Sequence, residues 1–293
     1  MQPVAPAGRP VGQDRVRSAL AFQANQQLEE ALQVLIAPGD FSADVFTLRG
    51  DLQLELGRVH EAVGSYSTVI AYDAQNMYAL QRLAECYRRL QQWDSAVAAF
   101  QRLLVRDRYN DAARIALGGC LLHLNQLEDA LACFEACWSE AARDRAAFGK
   151  AVTLQLLGRD HDAEALYERL LGVDQVEEAA LTNLIALNME RFVLPRVRRF
   201  AGRLYEKQPG SAIALQALTV VALEGREYEA AARYFSQLPE PSRTSQTSRP
   251  RIVQEGSRGQ GSPDPIQYTV SGERVEQLSQ PRRNAAPAAG AEV

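Results

Sequence analysis

The stretch LQRLAECYRRLQQWDSAVAAFQRLL, Leu80 to Leu104, decides the fold. Its apolar residues recur every three or four positions on both sides of a polar break. They are Leu80, Leu83, Tyr87 and Leu90 before the break, and Trp93, Ala96, Val97, Phe100, Leu103 and Leu104 after it. This spacing predicts two amphipathic helices, and the polar pair Gln91-Gln92 predicts a tight turn between them. The stretch therefore predicts an antiparallel helical hairpin.

The same pattern recurs along the chain with a step of 33 or 34 residues. A small residue marks each repeat: Ala62, Ala96, Ala130, Ala163, Val197 and Ala231. A second register, four residues later, is mostly aromatic: Tyr66, Phe100, Phe134, Tyr167, Ala201 and Phe235. A third register precedes the small residue: Arg49-Gly50, Leu83-Ala84, Leu117-Gly118, Lys150-Ala151, Leu184-Ile185 and Leu218-Thr219. Registers that share one period predict a stack of similar hairpins, in which small residues let helices approach and aromatic rings fill the space beside them.

This repeat resembles the tetratricopeptide repeat, a helical hairpin of 34 residues with a Leu-Gly/Ala pair, an aromatic, a central Ala and a later Phe or Tyr. Leu83-Ala84, Tyr87, Trp93, Ala96 and Phe100 carry the resemblance best. It implies an all-α fold, a right-handed superhelical solenoid of antiparallel helix pairs with about six to seven repeats. Full repeats are expected at 43–76, 77–110, 111–143, 144–177, 178–211 and 212–238, and a degenerate one at about 12–42.

The fifth repeat departs from the pattern. Phe192 stands where a turn residue is expected, and Val197 and Ala201 replace the usual small and aromatic residues. Pro195 suits the first turn of a helix, because the N–H groups there have no hydrogen-bond partner within the helix. We expect looser packing in this repeat.

The expected domains are a disordered N-terminus at 1–11, the solenoid at 12–238 and a disordered tail at 239–293, rich in Pro, Ser, Gly and Arg. Two apolar islands interrupt the tail, Ile252-Val253 and Ile266–Val270. They are either residual composition or a short motif that docks on a partner or on this chain's own groove. No solvating helix clearly follows Leu238, so the last helix caps itself, or a partner or the tail covers it.

Four potential metal ligands stand within eighteen residues: Cys120, His123, Cys133 and Cys137. Zinc accepts such a set. The repeat register argues against a site, because Cys86 and Cys120 share one position and Cys137 aligns with the apolar Leu103 and Leu170. Buried free cysteines behave as small hydrophobic residues, so we predict neither a metal nor a cofactor.

Known catalytic signatures are missing from the sequence: a Walker loop, a dinucleotide glycine fingerprint, an HExxH helix and a G-x-S-x-G elbow. His60 and His161 lie among charged neighbours and read as solvated residues, so no enzyme is expected. The net charge of −4 and the pI near 5.6 disfavour a nucleic-acid partner. Without an apolar run of spanning length or a signal-like N-terminus, we expect no membrane association and a cytoplasmic protein with reduced thiols.

In the family, the first helices of successive repeats line a concave groove, which the resemblance implies as the binding surface. We call it the first-helix surface. Its candidate residues are Tyr78, Gln81, Arg82, Glu85, Arg88, Arg89, Ile115, Leu122, His123, Phe148, Val152, Gln155, Asn183 and Met189. Some members clamp a peptide carboxylate with Lys and Asn at two set positions. Thr47 and Asp51 stand there in this chain, and Asp51 would repel a carboxylate.

The arginine-rich second repeat beside an apolar middle suits a peptide with an acidic residue next to apolar anchors, although Arg82, Arg88 and Arg89 are equally read as merely solvated. A second basic cluster is Arg191, Arg196, Arg198, Arg199 and Arg203, which reads as an anion site or, preferably, a solvated face. The leading hypothesis is a non-enzymatic scaffold or adaptor that binds peptides or helices of protein partners. The alternatives are a regulatory or targeting subunit for an enzyme on another chain and, less favoured, an RNA-binding solenoid.

Overall fold

The computed structural model describes residues 11–36 and 42–238. Within these ranges the chain forms fourteen α-helices and no strand. They are α1 (Val11–Ala24), α2 (Leu28–Ile36), α3 (Ala43–Glu55), α4 (Val59–Tyr72), α5 (Met77–Arg89), α6 (Trp93–Arg106), α7 (Asp111–His123), α8 (Leu127–Glu135), α9 (Glu140–Leu156), α10 (Asp160–Arg169), α11 (Glu177–Glu190), α12 (Leu194–Lys207), α13 (Ala212–Glu224) and α14 (Tyr228–Ser236). The expected all-α fold of paired helices is confirmed. The tail 239–293, and the N-terminal segment 1–11 except Val11, lie outside the described residues.

The chain divides into two compact units, Met1–Ala146 and Ala147–Val293, which we call unit 1 and unit 2. In unit 1 each helix of a hairpin packs on its partner, and each hairpin packs on the next through α2 and α3, α4 and α5, and α6 and α7. In unit 2 the corresponding contacts join α10 to α11, α11 to α12, α12 to α13, and α13 to α14. Each unit is therefore a serial stack of hairpins.

The predicted repeat boundaries agree with the helices at 43, 77, 111 and 212, where α3, α5, α7 and α13 begin. The boundary at 144 is wrong, because α9 begins at Glu140. Asp111 accounts for the early start. Its Oδ2 accepts hydrogen bonds from the backbone N–H groups of Trp138 at 3.1 Å and Ser139 at 2.7 Å, and so satisfies donors next to the start of α9.

One backbone conformation closes every hairpin in the described residues. The second residue after each first helix is left-handed, with φ between 56° and 75°, at Gln26, Gly57, Gln91, Asn125, Gly158, Phe192 and Arg226. The next N–H bonds back to a carbonyl five residues earlier, as from Gln92 to Tyr87 at 2.9 Å and from Val193 to Asn188 at 2.9 Å. The predicted turns at 57–58, 91–92, 125–126 and 158–159 all lie here.

The repeat registers form the core. The small residues from Ala62 to Val197 have no exposed surface, and the four aromatic residues Tyr66, Phe100, Phe134 and Tyr167 are at most 3% exposed. The fifth repeat reverses the sizes, with Ile185 in the Gly/Ala position and Ala201 in the aromatic position, and both are fully buried. A large residue on α11 thus accompanies a small residue on α12, and the expected looser packing of this repeat stays a prediction.

Candidate functional site

A polar cluster joins the first two full repeats of unit 1 at the first-helix surface. Asp51 on α3 accepts hydrogen bonds at Oδ1 from the Tyr66 hydroxyl at 2.6 Å and from the Tyr78 hydroxyl at 2.8 Å. Arg82 on α5 donates from Nε to the Tyr66 hydroxyl at 3.4 Å and lies 3.3 Å from the Asp51 carboxylate. One carboxylate on α3 thus organises two tyrosines and an arginine from α4 and α5. We call this group the Asp51 cluster.

The two tyrosines of the Asp51 cluster have different surroundings. Tyr66 is fully buried, whereas Tyr78 is 49% exposed and its ring centroid lies 5.9 Å from the Arg82 guanidinium carbon. Burial and the hydrogen bond to Asp51 raise the pKa of both hydroxyls. Both therefore stay protonated as donors to Asp51, and this donation holds the exposed ring of Tyr78 in one place.

The other two predicted arginines of α5, Arg88 and Arg89, pair with a carboxylate of the same helix. Arg88 donates to both carboxylate oxygens of Glu85, at 2.8 and 2.6 Å, and Arg89 lies 3.5 Å from the same carboxylate. Three guanidinium groups of α5 therefore face two carboxylates, those of Asp51 and Glu85. The surface is less basic than the sequence of α5 predicts.

Five of the predicted contact residues are buried, each at most 4% exposed: Ile115, Leu122, Phe148, Val152 and Asn183. A first helix inside a stack packs on its own partner and on the neighbouring hairpin, as α7 does on α8 and α6, so more of it is covered than the groove pattern assumes. These five side chains lie in the packed interior of the hairpins, and their predicted contact with a partner stays a prediction.

The remaining predicted residues lie at the surface or near it. Gln81 and Arg89 are exposed, and Gln155 and Met189 are half-buried. His123 is exposed, but its ring stacks on Trp93 with centroids 3.9 Å apart and an interplanar angle of 5°. The predicted partner contact of His123 therefore competes with a contact inside unit 1.

Unit 2 contains a related polar network around Tyr167. Its hydroxyl donates to Gln155 at 3.0 Å and accepts from the Asn183 amide at 3.1 Å. Asn183 follows Tyr167 by 16 residues, the same separation as Tyr66 and Arg82. In both units a tyrosine hydroxyl thus binds a polar residue of the next first helix, and Phe100 and Phe134 lack that hydroxyl.

The suspected metal ligands do not form a site. Within the described ranges, no three His, Cys, Asp or Glu side chains come together in a way that could hold a metal ion. All four cysteines are free thiols, of which Cys86 and Cys120 are buried. Burial raises the pKa of Cys120 to about 12 and those of Cys86 and Cys137 to about 11, which disfavours the thiolate that metals and redox partners require.

The second basic cluster forms a series of ion pairs within and between hairpins of unit 2. Glu164 pairs with Arg191 and Arg196, Glu168 with Arg199, Glu177 with Arg203 and Lys207, and Glu227 with Arg198. Asn188 also donates to Glu164 at 2.8 Å. We call these pairs the unit 2 ladder. The sequence carries a signal for it, since most of the acids precede their basic partners by nearly one repeat.

None of the helices in the described part of the chain combines the length and the apolar character that a membrane crossing requires.

Comparisons with known proteins agree with the hairpin geometry. Two family profiles described as tetratricopeptide repeat match residues 47–111 and 91–149. No curated protein matches the chain significantly. A tetratricopeptide repeat protein from Parabacteroides merdae superposes with a TM-score of 0.61 at 18% identity, over 78% of this chain and 91% of that one.

Two further solved structures are also similar in fold. PilW, described as a widely conserved type IV pilus biogenesis factor, has a TM-score of 0.57 at 19% identity, over 68% of this chain and 93% of its own. PilF of Pseudomonas aeruginosa has a TM-score of 0.56 at 16% identity, over 67% and 89%. At such identities these structures show a shared fold alone. The two profile matches assign residues 47–149 to the tetratricopeptide repeat family, and the repeated registers and helical hairpins agree with this assignment.

Proposed function

We propose that this protein is a non-enzymatic scaffold or adaptor that binds extended or helical segments of protein partners on the first-helix surface of unit 1. Membership of the repeat family supports the general role of a protein-interaction scaffold. The observation that carries the finer proposal is the Asp51 cluster, which presents the exposed ring of Tyr78 in a fixed position.

A fixed aromatic ring is a good anchor for a partner. Tyrosine offers a large amphipathic contact area, and the hydrogen bond to Asp51 has already ordered the side chain before binding. Binding then loses little further side-chain entropy, which otherwise costs about 0.5–1.5 kcal/mol for each immobilised side chain. Tyrosine and arginine are also the residue types that dominate binding energy at interfaces.

The charges around Tyr78 indicate the chemistry of the partner. The guanidinium groups of Arg82, Arg88 and Arg89 outnumber the carboxylates of Asp51 and Glu85 by one. We therefore propose a partner segment with an apolar or aromatic side chain packed on Tyr78 and one acidic residue near α5. A peptide bound by its terminal carboxylate fits less well, because Asp51 occupies the position of a clamp residue.

Affinity purification of the full chain from native lysate, with partners quantified by mass spectrometry, tests this proposal. Tyr78→Ala should lose the specific partners, and so should the triple variant Arg82→Glu, Arg88→Glu and Arg89→Glu. Tyr72→Ala is the matched control, since Tyr72 is an exposed tyrosine in the same unit. Retention of every partner by both surface variants, or equal loss in the control, would contradict the proposal.

The four free thiols support a reducing compartment, so we also propose a cytoplasmic location. Fractionation of cells followed by immunodetection tests it, and recovery in an exported fraction would contradict it.

A further inference from the structure

Two aromatic side chains are exposed at the connections between the hairpins of unit 1. Tyr109 lies two residues before α7 and is 66% exposed, and Trp138 lies two residues before α9 and is 67% exposed. The equivalent residues before α5, α11 and α13 are Gln75, Gln175 and Gly210. The hairpin fold therefore does not require an aromatic residue at this position, and burial does not explain why this chain has two.

The rings of Tyr109 and Trp138 lie next to each other and nearly at right angles. Their centroids are 5.8 Å apart, and the angle between the ring planes is 78°. The Arg108 guanidinium carbon lies 5.7 Å from the Tyr109 centroid, in a cation–π contact. The two rings thus form the walls of a corner that is open to solvent. We call Arg108, Tyr109 and Trp138 the Trp138 corner.

The backbone beneath the Trp138 corner is held by the buried carboxylate of Asp111. Its Oδ2 accepts the hydrogen bond from the Trp138 N–H, and the Asp111 N–H donates to the Tyr109 carbonyl at 3.0 Å. Arg114 pairs with Asp111 and also donates to the Arg108 carbonyl. Asp111 and Arg114 therefore connect the two segments that carry the rings. Because this backbone is ordered before a partner binds, binding loses less conformational entropy.

Three arginines at or near the Trp138 corner have no counter-charge. Arg102 and Arg106 lie one turn apart on α6, Arg108 follows on the connection, and all three are exposed. None of their guanidinium groups forms an ion pair with a residue that the structure places. The arginines of α5, in contrast, are all paired with carboxylates. The surface around the corner should therefore attract an acidic side chain.

We propose that the Trp138 corner is a second binding surface, formed by residues other than those of the first-helix surface, for a proline-rich segment of a partner protein that carries an acidic residue. Proline-rich segments are extended before binding, and they dock on exposed aromatic rings at a low entropic cost. A proline ring packs between Tyr109 and Trp138, and the acidic side chain pairs with Arg106 or Arg108.

A single-stranded nucleic acid would also use aromatic rings and arginines. It fits the Trp138 corner less well, because bases stack flat on a ring, whereas here the two rings meet at 78°. The net charge of −4 also opposes the approach of a polyphosphate chain. The geometry and the charge therefore favour a peptide.

Fluorescence anisotropy on the full chain tests the proposal. The probe is a labelled peptide in which glutamates flank a run of prolines, and it should bind the wild-type chain. A peptide with alanines in place of the prolines should bind about tenfold more weakly or less, because it lacks the rings and the preformed extended conformation. Glutamine in place of the glutamates should also weaken binding and make it less dependent on salt.

Trp138→Ala should raise the Kd of the probe by about tenfold or more, because an exposed tryptophan in such a position dominates the binding energy. The substitution keeps the backbone N–H that Asp111 binds, so the circular dichroism spectrum should not change. Arg108→Gln should weaken binding and reduce its salt dependence. The matched control is Tyr228→Ala in unit 2, which removes an aromatic ring that is also 66% exposed and should leave the Kd unchanged.

Three results would overturn the proposal. The first is a probe that does not bind, or that binds no more tightly than its alanine counterpart. The second is binding that Tyr78→Ala abolishes and Trp138→Ala does not, since the probe would then occupy the first-helix surface. The third is single-stranded oligouridine RNA that binds more tightly than the probe and is lost in Trp138→Ala, since the corner would then bind a nucleic acid.

Discussion

Gly50 lies directly beneath the ring of Tyr66, and the absence of a side chain at this position is required. A Cβ atom at Gly50 would lie 2.7 and 2.8 Å from ring carbons of Tyr66. The ring cannot readily move away, because its hydroxyl is hydrogen-bonded to Asp51. Gly118 has the same relation to Phe134, with two ring carbons at 2.8 Å from the Cβ position.

We therefore predict that Gly50→Ala destabilises unit 1 by about 1–2 kcal/mol, since overpacking costs about 1–3 kcal/mol and alanine regains up to about 1 kcal/mol of helix propensity. Gly64→Ala on α4 is the control, because a Cβ there meets nothing within 4 Å. The control should stabilise the protein slightly. Urea unfolding followed by tryptophan fluorescence measures the stability of both variants. An unchanged free energy of unfolding in Gly50→Ala would contradict the prediction and show that the Tyr66 ring moves aside.

Asp111 is a second residue whose environment determines stability. Its buried carboxylate accepts from two backbone N–H groups and pairs with Arg114. Burial alone would raise the pKa of Asp111, but the hydrogen bonds from Ser139 and Trp138 outweigh it, and the pKa lies below its ordinary value.

Asp111→Ala should destabilise unit 1 by about 3–5 kcal/mol, because it leaves buried donors without their charged acceptor. Asp94→Ala is the matched control. Asp94 is an exposed acid in the first turn of α6, where such a charge contributes at most about 1 kcal/mol. Equal effects of the two substitutions in denaturant unfolding would contradict the role given to Asp111.

The role of Gly50 is predictable from the sequence, whereas the role of Asp111 is not. Gly50 belongs to a register that repeats along the chain, so its packing role follows from the period. Asp111 looks like any acid in the first turn of a helix, and its partners Trp138 and Ser139 lie 27 and 28 residues away on an irregular connection. A contact that occurs once in the chain leaves no periodic signal.

At the scale of the element, the left-handed turn at Phe192 is the clearest case of tertiary structure overriding local preference. Phe192 has φ of 56° and a side chain that is 60% exposed, so it adopts a conformation unfavourable for L-residues without compensating burial. Gly158 has φ of 74° at the same position of the preceding repeat.

We predict that Phe192→Gly stabilises unit 2 by about 0.5–1 kcal/mol, the relief of left-handed strain less the extra entropy of an unfolded glycine. Gly158→Ala should do the opposite by about 1 kcal/mol. Thermal unfolding monitored by circular dichroism compares the two. A loss of stability in Phe192→Gly would show that the exposed ring makes contacts that matter more than the backbone.

The turns are predictable from the sequence because a polar or glycine pair interrupts the apolar pattern in most repeats. Phe192 lacks this signal, yet the helices on either side bury Leu187 and Val197 and so impose the common turn on it. The binding surface was harder to predict. Ile115 and Phe148 occupy nominal groove positions but are buried, and which neighbours cover a side chain depends on helix packing that one sequence period does not specify.

At the scale of the whole molecule, the unit 2 ladder should make stability depend on pH. Burial alone would raise the pKa of Glu164, but hydrogen bonds from Asn188 and Arg196 and the neighbouring arginines outweigh it and lower it. Lys207 and Arg203 lower the pKa of Glu177 despite its burial. Both carboxylates therefore bind protons less readily in the folded than in the unfolded chain.

The direction of the pH dependence follows from these lowered pKa values. The two glutamates contribute their stabilisation fully above the unfolded glutamate pKa of about 4.3 and lose it as the pH falls towards their lower folded values. Hydrogen exchange of the α11 amides should accelerate as the pH is lowered through this range, after correction for intrinsic exchange. Glu164→Gln should weaken the dependence, and an unchanged pH profile in that variant would contradict the role of Glu164.

The cysteines, which form no metal site, have a practical consequence because of where they lie. All four, together with Trp93 and Trp138, belong to unit 1, and unit 2 has neither residue type. Tryptophan emission and thiol labelling therefore report on one half of the chain only, while circular dichroism reports on both. Cys133 and Cys137 are partly accessible, whereas Cys86 and Cys120 become reactive only when their helices open. The natural sequence thus carries its own pair of site-selective reporters, with no engineered label needed to tell the unfolding of the two units apart.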